Sequence, residues 1–157
     1  MKSKMFIKIL LLIVIAGNIA GCKKYPDGPL ISFLSAKSRL YGNHTLTKYT
    51  VNGADSLSLY KDSLGTAFQF FNNGWTTDNN ICMMNGPLMQ FEWTWELTDH
   101  NKIFNVLMAT NLGTQAHNIG VFTTNVTTEW QILKLYSDDI VMQTSYNGKE
   151  YLIELTN

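Results

Sequence analysis

The most constraining feature of the sequence is a run of alternating apolar and polar residues at positions 88–97. The apolar side of this run carries Met89, Phe91, Trp93, Trp95 and Leu97, and the polar side carries Gln90, Glu92, Thr94 and Glu96. Successive side chains of a strand point to opposite faces, so a period of two predicts a strand with one buried and one solvated face. No long segment shows the 3.6-residue period of a helix. The sequence therefore predicts an all-β fold.

Turn dipeptides divide the chain after residue 43 into a series of such strands. Asn52-Gly53 and Asn147-Gly148 are the strongest signals, because Asn and Gly tolerate the positive φ angles of a type I′ hairpin turn. Strands are predicted at 44–51, 66–71, 75–84, 88–97, 102–109, 119–123, 129–136, 140–146 and 150–155. Residues 31–40 are predicted to form a short strand or a turn of helix, and residues 55–64 a loop.

The short connections between these strands select the architecture. An antiparallel meander protects its edges by closing into an up-and-down barrel or by stacking as a sandwich. A Greek-key sandwich needs long crossovers, which this chain mostly lacks. We therefore expect an antiparallel up-and-down β-barrel over residues 30–157.

The N-terminal segment is predicted to be a secretory signal peptide spanning residues 1–21. Lys2, Lys4 and Lys8 precede a short apolar stretch, and small residues lead up to Cys22. A membrane-spanning helix needs about 20 apolar residues. Because charged residues bound this stretch closely on both sides, a retained signal anchor is the less favoured alternative. Residues 22–29 contain two prolines and a glycine and are predicted to be a tether.

Charge and cysteine usage exclude several classes of function. Three of the twelve basic side chains lie in the signal peptide, which leaves nine basic groups against twelve carboxylates. A mildly acidic chain has no basic stripe for a phosphate backbone, so we expect no nucleic-acid partner. If Cys22 is modified, Cys82 has no intramolecular partner, and it is expected to be a buried, unreactive thiol.

Motifs for catalysis or cofactor binding are absent from the sequence. His44, His100 and His117 are scattered without metal-ligand spacing, and no nucleophile elbow or phosphate-binding glycine loop occurs. Glu92 and Glu96 share a strand face but lie about 13–14 Å apart along it, too far for a glycosidase pair. We expect no catalytic residues, no metal and no cofactor, and hence no enzyme.

The remaining candidate site is the aromatic interior of the barrel. Its predicted lining residues are Phe68, Phe70, Phe91, Trp93, Trp95 and Trp130. They suit a cavity for a small apolar ligand, but small eight-stranded barrels can also be filled with side chains. A cavity of several hundred cubic ångströms would favour the ligand-binding module. A filled interior would favour an envelope structural or protein-interaction module.

Ile19-Ala20-Gly21-Cys22 resembles the lipobox of bacterial lipoproteins. The resemblance implies cleavage before Cys22, a diacylglycerol on its sulfur and acylation of the new amine. Lys23 stands where an aspartate would resemble an inner-membrane retention signal, and no acidic cluster resembling a surface-export signal follows. The implied location is the cell envelope, with a lipid anchor in the outer membrane and the domain facing the periplasm.

Several later segments resemble small lipocalin-like lipoproteins of Bacteroidetes. They comprise residues 39–44, 48–53, 91–97, 130–135 and 147–155, which are distributed over nearly the whole mature chain. The resemblance implies a lipocalin-like barrel and says less about activity. Where lipocalins usually carry Gly-x-Trp in the first strand, this chain has Gly42-Asn43-His44.

Overall fold

A computed structural model describes residues 25–26, 28, 33–64, 66–72, 80–85, 90–111, 118–119, 121–123 and 127–157. The predicted signal peptide and Cys22 lie outside these residues, as does His117. Within the described ranges, no helix is long and apolar enough to cross a membrane.

The described elements are mostly strands. Two helices are α1 (Ala36–Leu40) and α2 (Leu57–Leu64), and a 3-10 turn spans Asp99–Asn101. The strands are β1 (Gly42–Val51), β2 (Ala54–Asp55), β3 (Ala67–Asn72), β4 (Asn80–Asn85), β5 (Gln90–Thr98), β6 (Ile103–Asn111), β7 (Asn118–Ile119), β8 (Phe122–Thr123), β9 (Thr128–Leu135), β10 (Asp139–Tyr146) and β11 (Lys149–Thr156).

The main sheet closes on itself. Its strand order is β11-β10-β9-β6-β5-β4-β3-β1-β2, and β1 also pairs with β11 in an antiparallel ladder that sets Tyr49 opposite Ile153. Eight strands thus form a closed antiparallel β-barrel, with β2 as a short extra strand beside β1. Strands that are neighbours in the barrel are also consecutive along the chain, with two exceptions. The short strand β2 lies between β1 and β3 in the sequence, and the β7–β8 hairpin lies between β6 and β9. The predicted up-and-down barrel is confirmed.

Both Asn-Gly dipeptides form two-residue turns with positive φ angles. The φ angles are 50° and 78° at Asn52-Gly53, and 50° and 73° at Asn147-Gly148. These turns set Val51 opposite Ala54 and Tyr146 opposite Lys149. Their twist matches that of the strands they join, which is why Asn-Gly predicted the hairpins correctly.

The barrel has two ends, which we call the base and the rim. The base carries α1, the Asp99–Asn101 turn and the connection of residues 136–138, where β9 ends and β10 begins. The rim carries the Asn52-Gly53 turn, α2 and the Asn147-Gly148 turn. Strands alternate in direction, so each consecutive connection of the meander lies at the opposite end from the one before it.

Two expectations about local structure were wrong, and one that had been left open is decided. The segment predicted as a loop contains helix α2, whose start is fixed by the Asp55 carboxylate accepting from the Leu57 N–H at 2.9 Å. Residues 119–123 do not form one strand, because β7 and β8 pair with each other as a small separate hairpin. Of the two options for residues 31–40, the described part contains helix α1, which is capped by the Ser35 hydroxyl.

The predicted tether is shorter than its stated range, because Tyr25 belongs to the folded domain. The Tyr25 side chain is 1% exposed, and its hydroxyl donates to the Asn101 carbonyl at 2.9 Å at the base. The Gly28 N–H reaches back to the Tyr25 carbonyl, and a Cβ on Gly28 would lie 2.8 Å from the Tyr25 Cβ. Proline and glycine oppose regular structure here, as expected, but they form a turn that packs onto the barrel.

The turn at the base holds three successive non-glycine residues in the left-handed region. The φ angles of Asp99, His100 and Asn101 are 45°, 56° and 65°. Left-handed backbone costs an L-residue about 1–2 kcal/mol, less for Asp and Asn. The His100 side chain is 93% exposed, so no packing contact of this side chain offsets the backbone strain.

We predict that His100→Gly raises the free energy of unfolding by about 0.5–1 kcal/mol, because glycine adopts this φ angle without strain. Urea unfolding followed by tryptophan fluorescence measures the change. The matched control is Lys102→Gly, at an exposed position with a φ of −92°, which should lower stability instead. Equal destabilisation by both substitutions would contradict the strain argument.

Candidate functional site

The barrel interior collects predicted aromatic side chains from three strands. Phe68 and Phe70 of β3, Trp93 and Trp95 of β5, and Trp130 of β9 are all buried. Five of the six predicted lining residues therefore point into the core. The sixth, Phe91, lies on β5 between Met84 and Asn111, but its side chain is outside the described set.

These rings contact one another across the strands. Phe68 stacks on Trp93 with ring centroids 6.1 Å apart, and Phe70 meets Phe104 edge-on at 5.9 Å. Phe104 also lies 5.3 Å from Trp95. Offset and edge-on contacts of this kind add about 0.5–1.5 kcal/mol each beyond area burial. The aromatic cluster therefore contributes to the stability of the barrel as well as to the character of its interior.

A small void lies among these side chains, midway along the barrel. It measures about 20 Å³ and exposes no polar surface. Its lining residues are Phe68, Phe70, Cys82, Trp93, Phe104, Val106, Trp130, Met142, Ile153 and Leu155. A space of this size holds about one water-sized body, whereas ligand pockets usually measure about 300–1,000 Å³. The interior as described is therefore close to filled.

Several lining residues were missed by the sequence analysis, including Phe104, Ile153 and Leu155. A partial signal for the last two was present, since Tyr151, Ile153 and Leu155 occupy alternate positions of β11, but the apolar Leu152 between the first two obscures the pattern. Phe104 lies in the register opposite Trp130, a pairing that only the sheet topology reveals.

Two buried indoles of the interior differ in their hydrogen bonding. The Trp130 Nε1–H donates to the Thr128 hydroxyl at 3.1 Å. The Trp95 Nε1–H is also buried, yet it has no hydrogen-bond partner among the described residues. A buried donor without a partner carries a desolvation penalty of about 1–3 kcal/mol. Trp95 thus presents an unused donor inside the core.

His44 supplies an unused acceptor on the same side of the core. Its Nε2 lies 2.9 Å from the Leu40 carbonyl oxygen, so Nε2 carries the proton and Nδ1 is the bare nitrogen. Nδ1 is buried without a partner in the described part of the chain. Phe70 contacts both rings, with centroids 5.6 Å from His44 and 6.0 Å from Trp95. The two unused polar groups therefore flank one aromatic side chain.

Burial also fixes the protonation state of His44. Desolvation lowers the pKa of His44 below its usual 6.5, and the hydrogen bond to the Leu40 carbonyl opposes this only in part. His44 is therefore neutral at pH 7. Its neutral ring packs inward against Phe70.

The base of the barrel is covered by α1. The buried Arg39 guanidinium donates to the Leu135 carbonyl at 3.0 Å and to the Leu34 carbonyl at 2.9 Å. The Tyr41 hydroxyl donates to the Asn80 side-chain oxygen at 2.8 Å, which ties the start of β4 to the same end. These bonds connect the chain before β1 to two barrel strands. The chain before β1 therefore covers this end of the barrel.

Toward the rim, the interior carries hydroxyl groups. The Tyr49 and Tyr151 rings lie 6.2 Å apart on neighbouring strands. Desolvation first, and then the proximity of Tyr151, raise the pKa of Tyr49 far above its usual value of 10. The Tyr49 phenol therefore stays neutral at physiological pH and brings polarity without charge to the rim half of the core.

Cys82 lies in the wall of the void. Burial raises the pKa of its thiol well above the usual value, which keeps it protonated and unreactive at neutral pH. Within the described ranges, no three His, Cys, Asp or Glu side chains come together as a metal site would require. His100 lies in the exposed turn at the base, where its Nδ1 is 3.5 Å from the Asp99 carboxylate.

Together these features define a closed up-and-down β-barrel with an aromatic interior. No protein-family model and no curated protein matches the chain. Among solved structures, the chain is similar to "As-p18, an extracellular fatty acid binding protein", with 13% identity and a TM-score of 0.43 over 79% of this chain and 99% of that one. An identity of 13% is too low for the ligand of that protein to be assigned to this chain.

We predict that the stability of the barrel falls as the pH drops below about 6.5, because the unfolded chain then takes up a proton that buried His44 resists. His44→Gln should flatten this part of the profile, measured as the free energy of unfolding between about pH 7 and 5. The carboxylates respond mainly at lower pH. His100→Gln is the control and should leave the slope intact. An unchanged slope in His44→Gln would show that another group is responsible.

Proposed function

We propose that this protein is a lipid-anchored lipoprotein of the bacterial cell envelope whose barrel binds a small apolar ligand with one polar group. The anchor is the acylated Cys22, in the outer membrane, with the domain facing the periplasm. The lipobox-like sequence before Cys22 and the resemblance to Bacteroidetes lipocalin-like lipoproteins support this location. The barrel is a binding module without catalytic residues, cofactor or metal.

The observation that carries the ligand proposal is the unpaired Trp95 indole N–H inside an apolar, aromatic core. Binding sites for small molecules are mostly apolar, with a few polar groups that fix orientation. A ligand hydroxyl or carbonyl placed near Phe70 would accept from Trp95, and a hydroxyl could also donate to His44 Nδ1. Such a ligand would satisfy groups that the described protein leaves unpaired.

The small void requires that the ligand enter by displacing side chains. Met142 and Trp130 line the void, and methionine adapts its shape at low cost because its side chain is unbranched and flexible. A slender chain suits this route better than a bulky ring system. Since α1 covers the base, entry is from the rim.

The near-filled interior favours a second candidate, an envelope structural or protein-interaction module with a solid core. In that case the barrel would serve as a rigid anchored scaffold, and its outer face or rim would contact a partner. The unpaired Trp95 donor would then be a tolerated defect or the site of an ordered water. The two candidates differ in whether the core accepts an apolar molecule.

The ligand proposal predicts that 1-octanol binds more tightly than octane and raises the melting temperature more. One hydrogen bond to a neutral donor is worth about 1 kcal/mol, or about fivefold in affinity. Trp95→Phe should weaken this preference, because the His44 Nδ1 acceptor is then the one polar partner left for the hydroxyl. Trp130→Phe is the matched control, because its indole is already paired with Thr128 and the preference should persist. Isothermal titration calorimetry measures both affinities.

Met142→Ala is a second variant, in which the void is already larger before a ligand binds. It should lower stability by about 2–5 kcal/mol and tighten binding of both molecules. If neither compound binds the wild-type barrel or Met142→Ala, the ligand proposal is wrong and the solid-core module is supported.

The anchor proposal predicts that Cys22→Ser releases the protein from the membrane fraction into the soluble periplasmic fraction, because the sulfur that carries the diacylglycerol is lost. Cys82→Ser is the matched control, since the chain has only these two cysteines. Metabolic labelling with a fatty-acid probe should mark wild type and Cys82→Ser. Label that persists in Cys22→Ser would contradict the assignment.

A further inference from the structure

The docked position of Tyr25 limits how far the folded barrel can stand from its anchor. Only three peptide units separate Cys22 from Tyr25, and they span at most about 11 Å when fully extended. Tyr25 is fixed at the base by its hydrogen bond to the Asn101 carbonyl and by near-complete burial. The sulfur that carries the lipid is therefore always close to the base.

The segment from Cys22 to Tyr25 must cross the polar headgroup layer, which takes up about half of its extended length. Headgroups occupy about 5–7 Å on each side of the hydrocarbon core, and the glycerol of the anchor lies at the inner boundary of that layer. About 5 Å then remains between the outer edge of the headgroups and Tyr25. This gap is less than two water molecules wide. The base is consequently held in contact with the lipid surface.

The base carries two of the three large apolar side chains that are exposed among the described residues, and the third, Leu59 of α2, lies at the rim. Phe33 is fully exposed at 100%, and Leu34 is exposed at 54%. Their position is fixed because the Leu34 carbonyl accepts from Arg39, which also binds the end of β9. An aromatic ring presented on the side nearest the anchor suits the membrane interface, where amphipathic and aromatic groups are favoured. Phe33 thus has a lipid surface within reach.

Resting on the proposed lipidation of Cys22, we propose that the barrel is held with its base against the bilayer, Phe33 in the headgroup layer and its rim directed away. Tyr25 and Gly28 act as the positioning residues, because their turn shortens the tether to three peptide units. The rim, through which the ligand would enter, then faces the aqueous compartment. Ligand exchange by this route would occur with the periplasm or with a soluble partner, and not directly with the anchoring leaflet.

The test places a fluorescent probe at either end of the β10–β11 hairpin in the full-length lipidated protein. Asp138→Cys labels the base and Lys149→Cys labels the rim, at exposed positions about 20 Å apart along a tilted strand pair. The native cysteines do not react, because Cys22 is acylated and Cys82 is a buried, protonated thiol. The proteins are reconstituted into vesicles of phosphatidylethanolamine and phosphatidylglycerol that contain a headgroup-spin-labelled lipid.

The orientation predicts that the base probe loses most of its fluorescence to the lipid quencher while the rim probe keeps it. Inserting a flexible Gly-Ser segment of about ten residues between Lys24 and Tyr25 adds about 17 Å of reach and should largely relieve the quenching. This insertion leaves the docked turn intact, so the fold is preserved. Phe33→Ser should reduce quenching of the base probe without releasing the protein from vesicles.

The outcomes separate the orientation from the anchor. Protein that does not associate with vesicles contradicts the lipidation at Cys22, and with it the orientation. Protein that associates, but shows equal quenching at base and rim, overturns the orientation while leaving the anchor in place. If the probe at the base is quenched equally with and without the insertion, the short tether is not what keeps the base at the lipid surface.

Discussion

The hydrogen-bonded ladder between β1 and β11 is the constraint on which the rest of the structure depends. By joining the first and last strands, it removes both edges of the sheet and turns alternate side chains of every strand into one shared interior. Tyr49 and Ile153 meet in this ladder, and both side chains are buried. The aromatic cluster, the unpaired Trp95 donor and the covered base are all consequences of this closure.

Local sequence signals predicted those parts of the fold whose causes are local. The Asn-Gly turns and the period-two alternation of β5 depend on neighbouring residues, so the sequence predicts them. Helix α2 was missed because eight residues give little periodicity, and its start depends on the Asp55 side chain. Tyr25 was assigned to a tether because its burial comes from a contact with Asn101, far away in sequence.

The candidate site shows the same division between local and tertiary causes. The inward side of β5 was predicted from alternation, and Trp93 and Trp95 lie there. Which interior polar groups find partners could not be predicted, because Trp130 pairs with a neighbour two residues away while Trp95 does not. The volume of the interior depends on how eight strands pack together, and no single strand encodes it. The choice between a ligand-binding and a solid core is therefore decided by tertiary packing.

Closure of the barrel is tested most directly by native-state hydrogen exchange on the amides of β1 and β11. A closed barrel predicts that the amides paired across this ladder, around Tyr49 and Ile153, are protected as strongly as those shared by β5 and β6. If the β1 and β11 amides exchange as fast as those of an exposed sheet edge, the barrel is open. The account of a single shared interior would then be wrong.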